Sequence, residues 1–443
     1  MIAREIERSA DAAEAIDRFL QELRTWIYDC LDTYGESGPT GGHDQLTYTT
    51  GWAPYLDVHP DRPVVNFLVR ARDDVAKHCE SSGLWRHGYW KQQEAHHGTE
   101  HYDIFLRFLA DVEPEDGETA RQLLDAAEHM GNWVPGIPDW YDYDTGLFRS
   151  FWFGTEQVGR DGDDGINVPD HFRCVNLCLL AHRVSGQGRY LALAGEYGGR
   201  WAEAILQSKS LPLGLAPSGP VYDCEGGTGL STTGPARGDN LLKAELFLAS
   251  NATNAFLDLW VLTADGRFLE AEERLLDVLC EGLSDPDAGI VADAIRRYRS
   301  ITGKSGYDDR IMALCEAFRV EDIGTIGMEP NVERSAPHRG VGKRPDTADW
   351  FEDGLPRKIN PILLSAAAEI SGDTGLAVMA LDMARTYFIL AREVYPDGRE
   401  HGCSARSVSA IARGHGRDNH AGVTTAVLRP IVTAFGTTMH STG

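Results

Sequence analysis

One arrangement recurs along the chain and limits what it can fold into. "LLAHRVSGQGRYLALAGEY" (179 to 197), "LWVLTADGRFLEAEERLL" (259 to 276), "RRYRSITGKSGYDDRIMAL" (296 to 314) and "SAAAEISGDTGLAVMALDMA" (365 to 384) share one plan. Each has an apolar helical run, a break containing Gly, and an amphipathic run a few residues later. Gly accepts the left-handed conformation that ends a helix, and a polar link this short turns the second helix back against the first. Helical periodicity dominates elsewhere too, with no convincing series of alternating strands. The spacing therefore predicts an all-α protein built of helical hairpins. Residues 105 to 130 read as another hairpin with a longer turn, and the stretches 11 to 33 and 63 to 81 are expected to make one more pair.

The hairpins are unevenly spaced, because long segments rich in Gly, Pro and aromatic residues separate some of them. These are residues 131 to 169, 211 to 238 and 328 to 356. Loops so long inside a compact chain are functional or disordered, and the aromatic content favours ordered ones. Six or seven hairpins with the long loops gathered at one end resemble the (α/α)6 toroid of carbohydrate-active enzymes. Among these are polysaccharide lyases and unsaturated glucuronyl hydrolases. The resemblance is one of architecture and spans most of the chain. It implies one toroidal catalytic domain over residues 1–443, with each long loop feeding the first helix of the next hairpin and the helix starts facing a central cavity.

Those starts are "WKQQEAHHGTEH" from Trp90, "NVPDHFRCVN" from Asn167, "RGDNLLKAE" from Arg237, "LPRKIN" from Leu355 and "GRDNHAG" from Gly416. Asp and Asn are preferred helix caps, which accounts for some of this polarity. Capping does not account for His171, Lys243, Arg357, Asn360 or His420. On the first of these helices Trp90, Glu94, His97, His101, Phe105 and Phe108 recur at 3- or 4-residue spacing, so they form one face with its polar half near the helix start. The expected acid and base groups are Glu94, His97, His101, Tyr102, His171 and His420. Asn176, Asn240, Lys243, Arg357 and Asn360 are the expected polar substrate contacts, with Trp90, Trp140, Trp152 and Tyr222 as rings on which a sugar could stack.

Other motifs carry less. "HGTEH" (97 to 101) fits the inverted zinc motif HxxEH, but Gly98 sits inside it and a chain of hairpins is unlike the proteases that use it. A divalent ion on His97 and His101, with His420 or a Glu, is a lesser alternative to a cofactor-free site. "DGDD" (161 to 164) fits the acid motif of class II terpene cyclases, yet it lies in a Gly-rich stretch that reads as a solvated turn. No Walker loop and no GxSxG elbow occur. The eight cysteines include no CxxC pair, so a zinc ribbon is not expected.

Charge narrows the partners. With 67 acidic and 42 basic residues the formal net charge is −25, which repels nucleic acid and anionic membranes. No apolar stretch is long enough to span a bilayer, and the start of the chain lacks the pattern of a secretory signal, so a cytoplasmic protein is expected. Helix starts rich in His, Asn, Lys and Arg on so acidic a chain suit an acidic glycan. β-Elimination at a uronate needs a neutralised carboxylate, a base and an acid, and Asn, Arg, His and Tyr supply these roles. A polysaccharide or oligosaccharide lyase is the first expectation. A glycoside hydrolase of the unsaturated-glucuronyl type, using a pair from Glu94, Asp170, Asp239 and Glu245, is the alternative. A helical scaffold that only binds is the reading outside catalysis.

Overall fold

The computed structural model describes residues 2–35, 39, 42–43, 45–159, 165–222, 240–281, 289–318, 324–328, 360–394 and 423–435. The chain folds as an all-α toroid of the (α/α)6 kind, with helices in two concentric layers. Among the described residues, six inner segments are each followed by an outer helix. They are the 3-10 turn Thr47–Trp52 with α2 (Ala53–Val58), then α3 (Arg62–Ser81); α4 (Ala95–Glu100), the π turn His101–Leu106 and α5 (Arg107–Val112), then α6 (Gly117–Glu128); α7 (Phe172–Ser185), then α8 (Gly188–Gln207); α9 (Asn240–Ala249) and α10 (Ala252–Thr263), then α11 (Gly266–Glu281); α12 (Gly289–Thr302), then α13 (Asp308–Phe318); and α14 (Pro361–Ser371), then α15 (Thr374–Val394). α1 (Ala12–Tyr34) lies in the outer layer, packed on α15, and Val423–Ala426 and Leu428–Phe435 complete the inner layer between α14 and Thr47–Trp52.

The sequence dictates which helix goes where. A helix enclosed on all sides must be apolar around most of its circumference, and Phe172 to Ala181 of α7 and Pro361 to Ala368 of α14 are all buried. An outer helix needs one apolar stripe. In α1 it is Ile16, Phe19, Leu20, Leu23 and Ile27, and in α11 it is Phe268, Ala271, Leu275, Leu276 and Leu279. Each such side chain, fully buried, contributes about 1.5–3 kcal/mol of hydrophobic stabilisation. The hairpin turns also follow the expected chemistry, with Gly186 (φ 68°), Gly303 (φ 70°) and Gly372 (φ 71°) in the left-handed region. One turn differs: in "TADGR" it is Ala264 (φ 57°), not the Gly, that takes this conformation.

Two expectations need revising. Residues 11 to 33 and 63 to 81 are not a hairpin, because Thr47 to Val58 passes between them as an inner segment and both stretches lie in the outer layer. Its sequence, "TYTTGWAPYLDV", is too short and too broken by Gly and Pro to show a helical period. The described residues also hold five two-stranded ribbons, most with strands of two or three residues, which is below the length at which alternation can be read.

The closure of the ring is explicit. Strand Ile2–Glu5 pairs antiparallel with Thr325–Met328. Ser9 donates through its amide and its hydroxyl to Asp382 of α15, at 2.7 and 2.6 Å. Arg392 reaches Asp29 of α1 at 2.6 Å. In the inner layer Thr425 donates to the Gly51 carbonyl at 2.9 Å.

Candidate functional site

The 131 to 169 loop is knitted to the segment before α4 before it delivers any side chain. Gln93–Glu94 pairs antiparallel with Trp152–Phe153, Ala95 N–H donates to Phe151 O at 2.9 Å, and Thr155 N–H donates to Trp90 O at 2.9 Å. Gly154 permits this, because a Cβ there would run into the backbone carbonyl of Lys91. Trp140 is fully buried, donates Nε1–H to Gly154 O at 3.0 Å and stacks on Phe153 and His129. Segment 140 to 155 is thereby fastened to the strand that leads into α4.

Glu94 ends that strand, and the next turn carries His96, His97 and Glu100. The His97 imidazole holds the Glu94 carboxylate through Nδ1 at 2.6 Å, and the His96 Nε2 holds Glu100 at 2.8 Å. A second segment adds His43, whose Nε2 is 3.2 Å from the other Glu100 oxygen and whose ring lies 4.2 Å from that of His97. A third, Pro169–His171 before α7, adds Asp170, 3.8 Å from His96 Nδ1 and 3.8 Å from Nε of the buried Arg173. Three imidazoles and three carboxylates thus converge from three segments at the starts of the inner helices. Burial alone would raise the Glu100 carboxyl, but His96 and His43 outweigh it and hold Glu100 well below the usual carboxylate range. Glu100 is therefore an anion, with an imidazole beside each of its oxygens. Glu94, His96 and Glu100 are almost wholly covered, whereas the side chains of His97 (26%), His43 (24%) and Asp170 (12%) keep a face to solvent. The covered groups position, and the accessible ones can touch a ligand.

The other expected residues do different work. His101, one turn below His97, has already entered the core: it is packed against Trp85, Tyr102 and Phe105, and burial lowers its imidazole to about 3. A helix descends about 6 Å in four residues, and here the polar stripe is shallower than that. Tyr102 is fully buried against Trp85, Tyr89 and Trp90, and burial raises its phenol. His171 is buried with both nitrogens engaged, Nε2 on Ser150 O and Nδ1 on the Val168 backbone, each at 3.1 Å, so it braces the loop from within. Asn176 Nδ2 donates to Asn251 O at 3.4 Å, and the Asn176 backbone carbonyl accepts from Arg107 at 3.1 Å. Asn240 accepts from Ser210 Oγ and Leu211 N–H, both at 2.9 Å, and Asn360 caps α14 through Ile362 N–H at 2.9 Å. Lys243 is covered and bonds Ser210, and Tyr222 is exposed beside it. Trp90 is core against Trp85, while the half-buried Trp152 lies directly across the ribbon from Glu94. Arg357, His420 and the 161 to 164 motif lie outside the described residues.

These placements bear on the zinc reading. The two histidines of HGTEH occupy different surroundings, and its Glu100 is engaged by His96 and His43. Gly98 has a structural reason instead: a Cβ there would strike the Tyr89 ring. Among the described residues no group of three or more His, Cys, Asp or Glu is arranged to hold a metal ion. His43 and Arg173 were not expected from sequence. A cavity of about 580 Å3 lies at the other end of the ring, between the starts of the outer helices α1 and α15, and its buried carboxylate, Asp382, is bonded by Ser9.

Fold and cluster together define a helical toroid with a histidine–carboxylate cluster at the starts of α4 and α7. No protein-family model matches the chain, and no curated protein matches it. Among solved structures it is similar to an unsaturated glucuronyl hydrolase from Streptococcus agalactiae, with a TM-score of 0.46 and 9% identity over 96% of this chain and 93% of that one. It is also similar to the unsaturated glucuronyl hydrolase of Bacillus sp. GL1, responsible for the degradation of glycosaminoglycan, with a TM-score of 0.46 and 14% identity over 95% of this chain and 96% of that one.

Proposed function

We propose that the protein is a glycoside hydrolase whose chemistry is performed by Asp170 and the His97–Glu94 pair. The observation that carries this reading is the convergence of Glu94, Glu100 and Asp170 with His43, His96 and His97 at the starts of α4 and α7. Hydrolysis of a glycosidic bond needs one group to protonate the leaving oxygen and a carboxylate to activate water or stabilise the sugar cation. Asp170 is the accessible carboxylate. His97, with Nδ1 fixed on Glu94, presents its other nitrogen for proton transfer, and Glu94 stabilises the charged imidazole. Trp152, across the ribbon from Glu94, supplies an aromatic face at the right place for a sugar ring. Elimination is less well served, since Asn176, Asn240 and Asn360 each hold a neighbouring segment or helix start through the side-chain amide and Tyr102 is sealed in the core.

The test is a panel of neutral, uronate-containing and unsaturated oligosaccharides, followed by both reducing-end release and ultraviolet absorbance. The expected result is new reducing ends on at least one saccharide, with no gain in the unsaturated-uronate chromophore, and a loss of 100-fold or more in Asp170→Asn. A rising chromophore would mean elimination and would overturn the assignment.

A further inference from the structure

Lys243 stands one turn into α9, close to the Pro169–His171 turn on which α9 packs. It is only 3% exposed, and its ammonium has three donors. Its partners are one hydroxyl, Ser210 Oγ at a long 3.4 Å, and the ring of Tyr222, whose centroid is 5.9 Å away. No carboxylate among the described residues comes within ion-pair distance, in a chain with 67 acidic residues. Covering a cation without a counter-charge is costly, and such a group is ordinarily paired. The surroundings are nonetheless built. Ser210 Oγ–H donates to Asn240 Oδ1 at 2.9 Å, and Leu211 N–H donates to the same oxygen at 2.9 Å, so the hydroxyl beside the ammonium is held in place. Tyr222 covers the ammonium while remaining 37% exposed itself, and its hydroxyl bonds Ser208.

We propose that Lys243, Ser210 and Tyr222 form an oxyanion subsite, which takes a carboxylate or sulfate substituent carried by a sugar ring stacked on Tyr222. The ammonium offers its unused donors to the anion, and the ring supplies the apolar face for the sugar. The sugar part of this assignment rests on the glycan reading above, whereas the oxyanion part rests on Lys243 alone. The subsite gives an acidic protein a local means of accepting an acidic ligand, and it selects the ligand rather than performing the chemistry.

The experiment is calorimetric titration and thermal unfolding of the full chain with D-glucuronate, glucose 6-sulfate, inorganic sulfate and glucose. The wild type is expected to bind and be stabilised by at least one charged sugar and not by glucose, and the order of glucuronate and glucose 6-sulfate identifies the oxyanion. Lys243→Met is expected to bind that sugar at least tenfold more weakly while its ligand-free Tm stays at or above the wild-type value, since it removes a covered cation that no carboxylate among the described residues pairs. Lys243→Gln provides the same comparison with a polar side chain, and Tyr222→Ala is expected to weaken the charged sugar without weakening inorganic sulfate. Charged-sugar binding within twofold of wild type in both Lys243 variants overturns the subsite, as does equal binding of glucose. Because these readouts involve no turnover, a protein that binds charged sugars through Lys243 but releases no reducing ends would retire the hydrolase reading and leave the subsite standing.

Discussion

At the scale of residues, the three histidines of "AHHGTEH" are chemically identical and physically different. His96 and His97 sit on carboxylates at 2.8 and 2.6 Å. His101 has no such partner and is held neutral by burial, to about 3, and His129 behaves alike at about 4. An unfolded histidine titrates near 6.5, so below that pH the unfolded chain binds protons that the folded chain refuses. Stability is therefore fully present above about pH 6.5 and falls as pH drops toward 4. At pH 5 each of these two groups costs about 2 kcal/mol. Glu100 adds to the loss below about pH 4.3, where its carboxylate protonates more readily in the unfolded chain. Urea unfolding at pH 7.5 and pH 5 is expected to show this drop, and His101→Leu to flatten it. An unchanged slope in that variant would mean that His101 is not held neutral. The sequence showed which residue types gather in this stretch, and Glu94 and His97, which it grouped on one face, do lie in contact. It could not show depth, because one turn of helix separates a wet imidazole from a dry one and periodicity treats both as the same face.

At the scale of elements, the hairpins were legible because each repeats a local signal that needs no tertiary information. Apolar run, glycine stop and amphipathic run recur, and Gly186, Gly303 and Gly372 occupy the stops. The hairpin at 264 to 266 tests this logic. Ala264 takes a left-handed conformation that penalises a side chain by about 1 kcal/mol, while Gly266 begins α11. Ala264→Gly is expected to stabilise the protein by about 1 kcal/mol in chemical denaturation, and a destabilisation would mean that the Ala264 methyl contributes packing that outweighs its strain. Thr47 to Val58 was missed because a 3-10 turn running into a six-residue helix has no period to detect. Missing it also hid His43, since the rule that polar residues at inner-helix starts face the site applies to "GGHDQLTY" once Thr47–Trp52 is known to be an inner segment. The π turn at His101–Leu106 was equally silent in sequence.

At the scale of the molecule, the histidine–carboxylate cluster forms because a ring brings together segments that are far apart in the chain. His43, Glu94 to Glu100 and Asp170 belong to three segments, and each is rooted in a different inner element. The ring is fastened where α1 meets α15, through the Ile2–Glu5 and Thr325–Met328 ribbon, Ser9 on Asp382, and Arg392 on Asp29. The fold thus supplies a fixed frame, and the proposed chemistry draws on all three segments at one end of it. The most direct measurement compares His97→Ala with His101→Leu on the saccharide that the wild type cleaves, with turnover and Tm recorded on the same samples. The account predicts at least a 100-fold loss of turnover with little change in Tm for His97→Ala, and retained turnover with altered acid stability for His101→Leu. Near-wild-type turnover in His97→Ala, or its abolition in a folded His101→Leu, would contradict it.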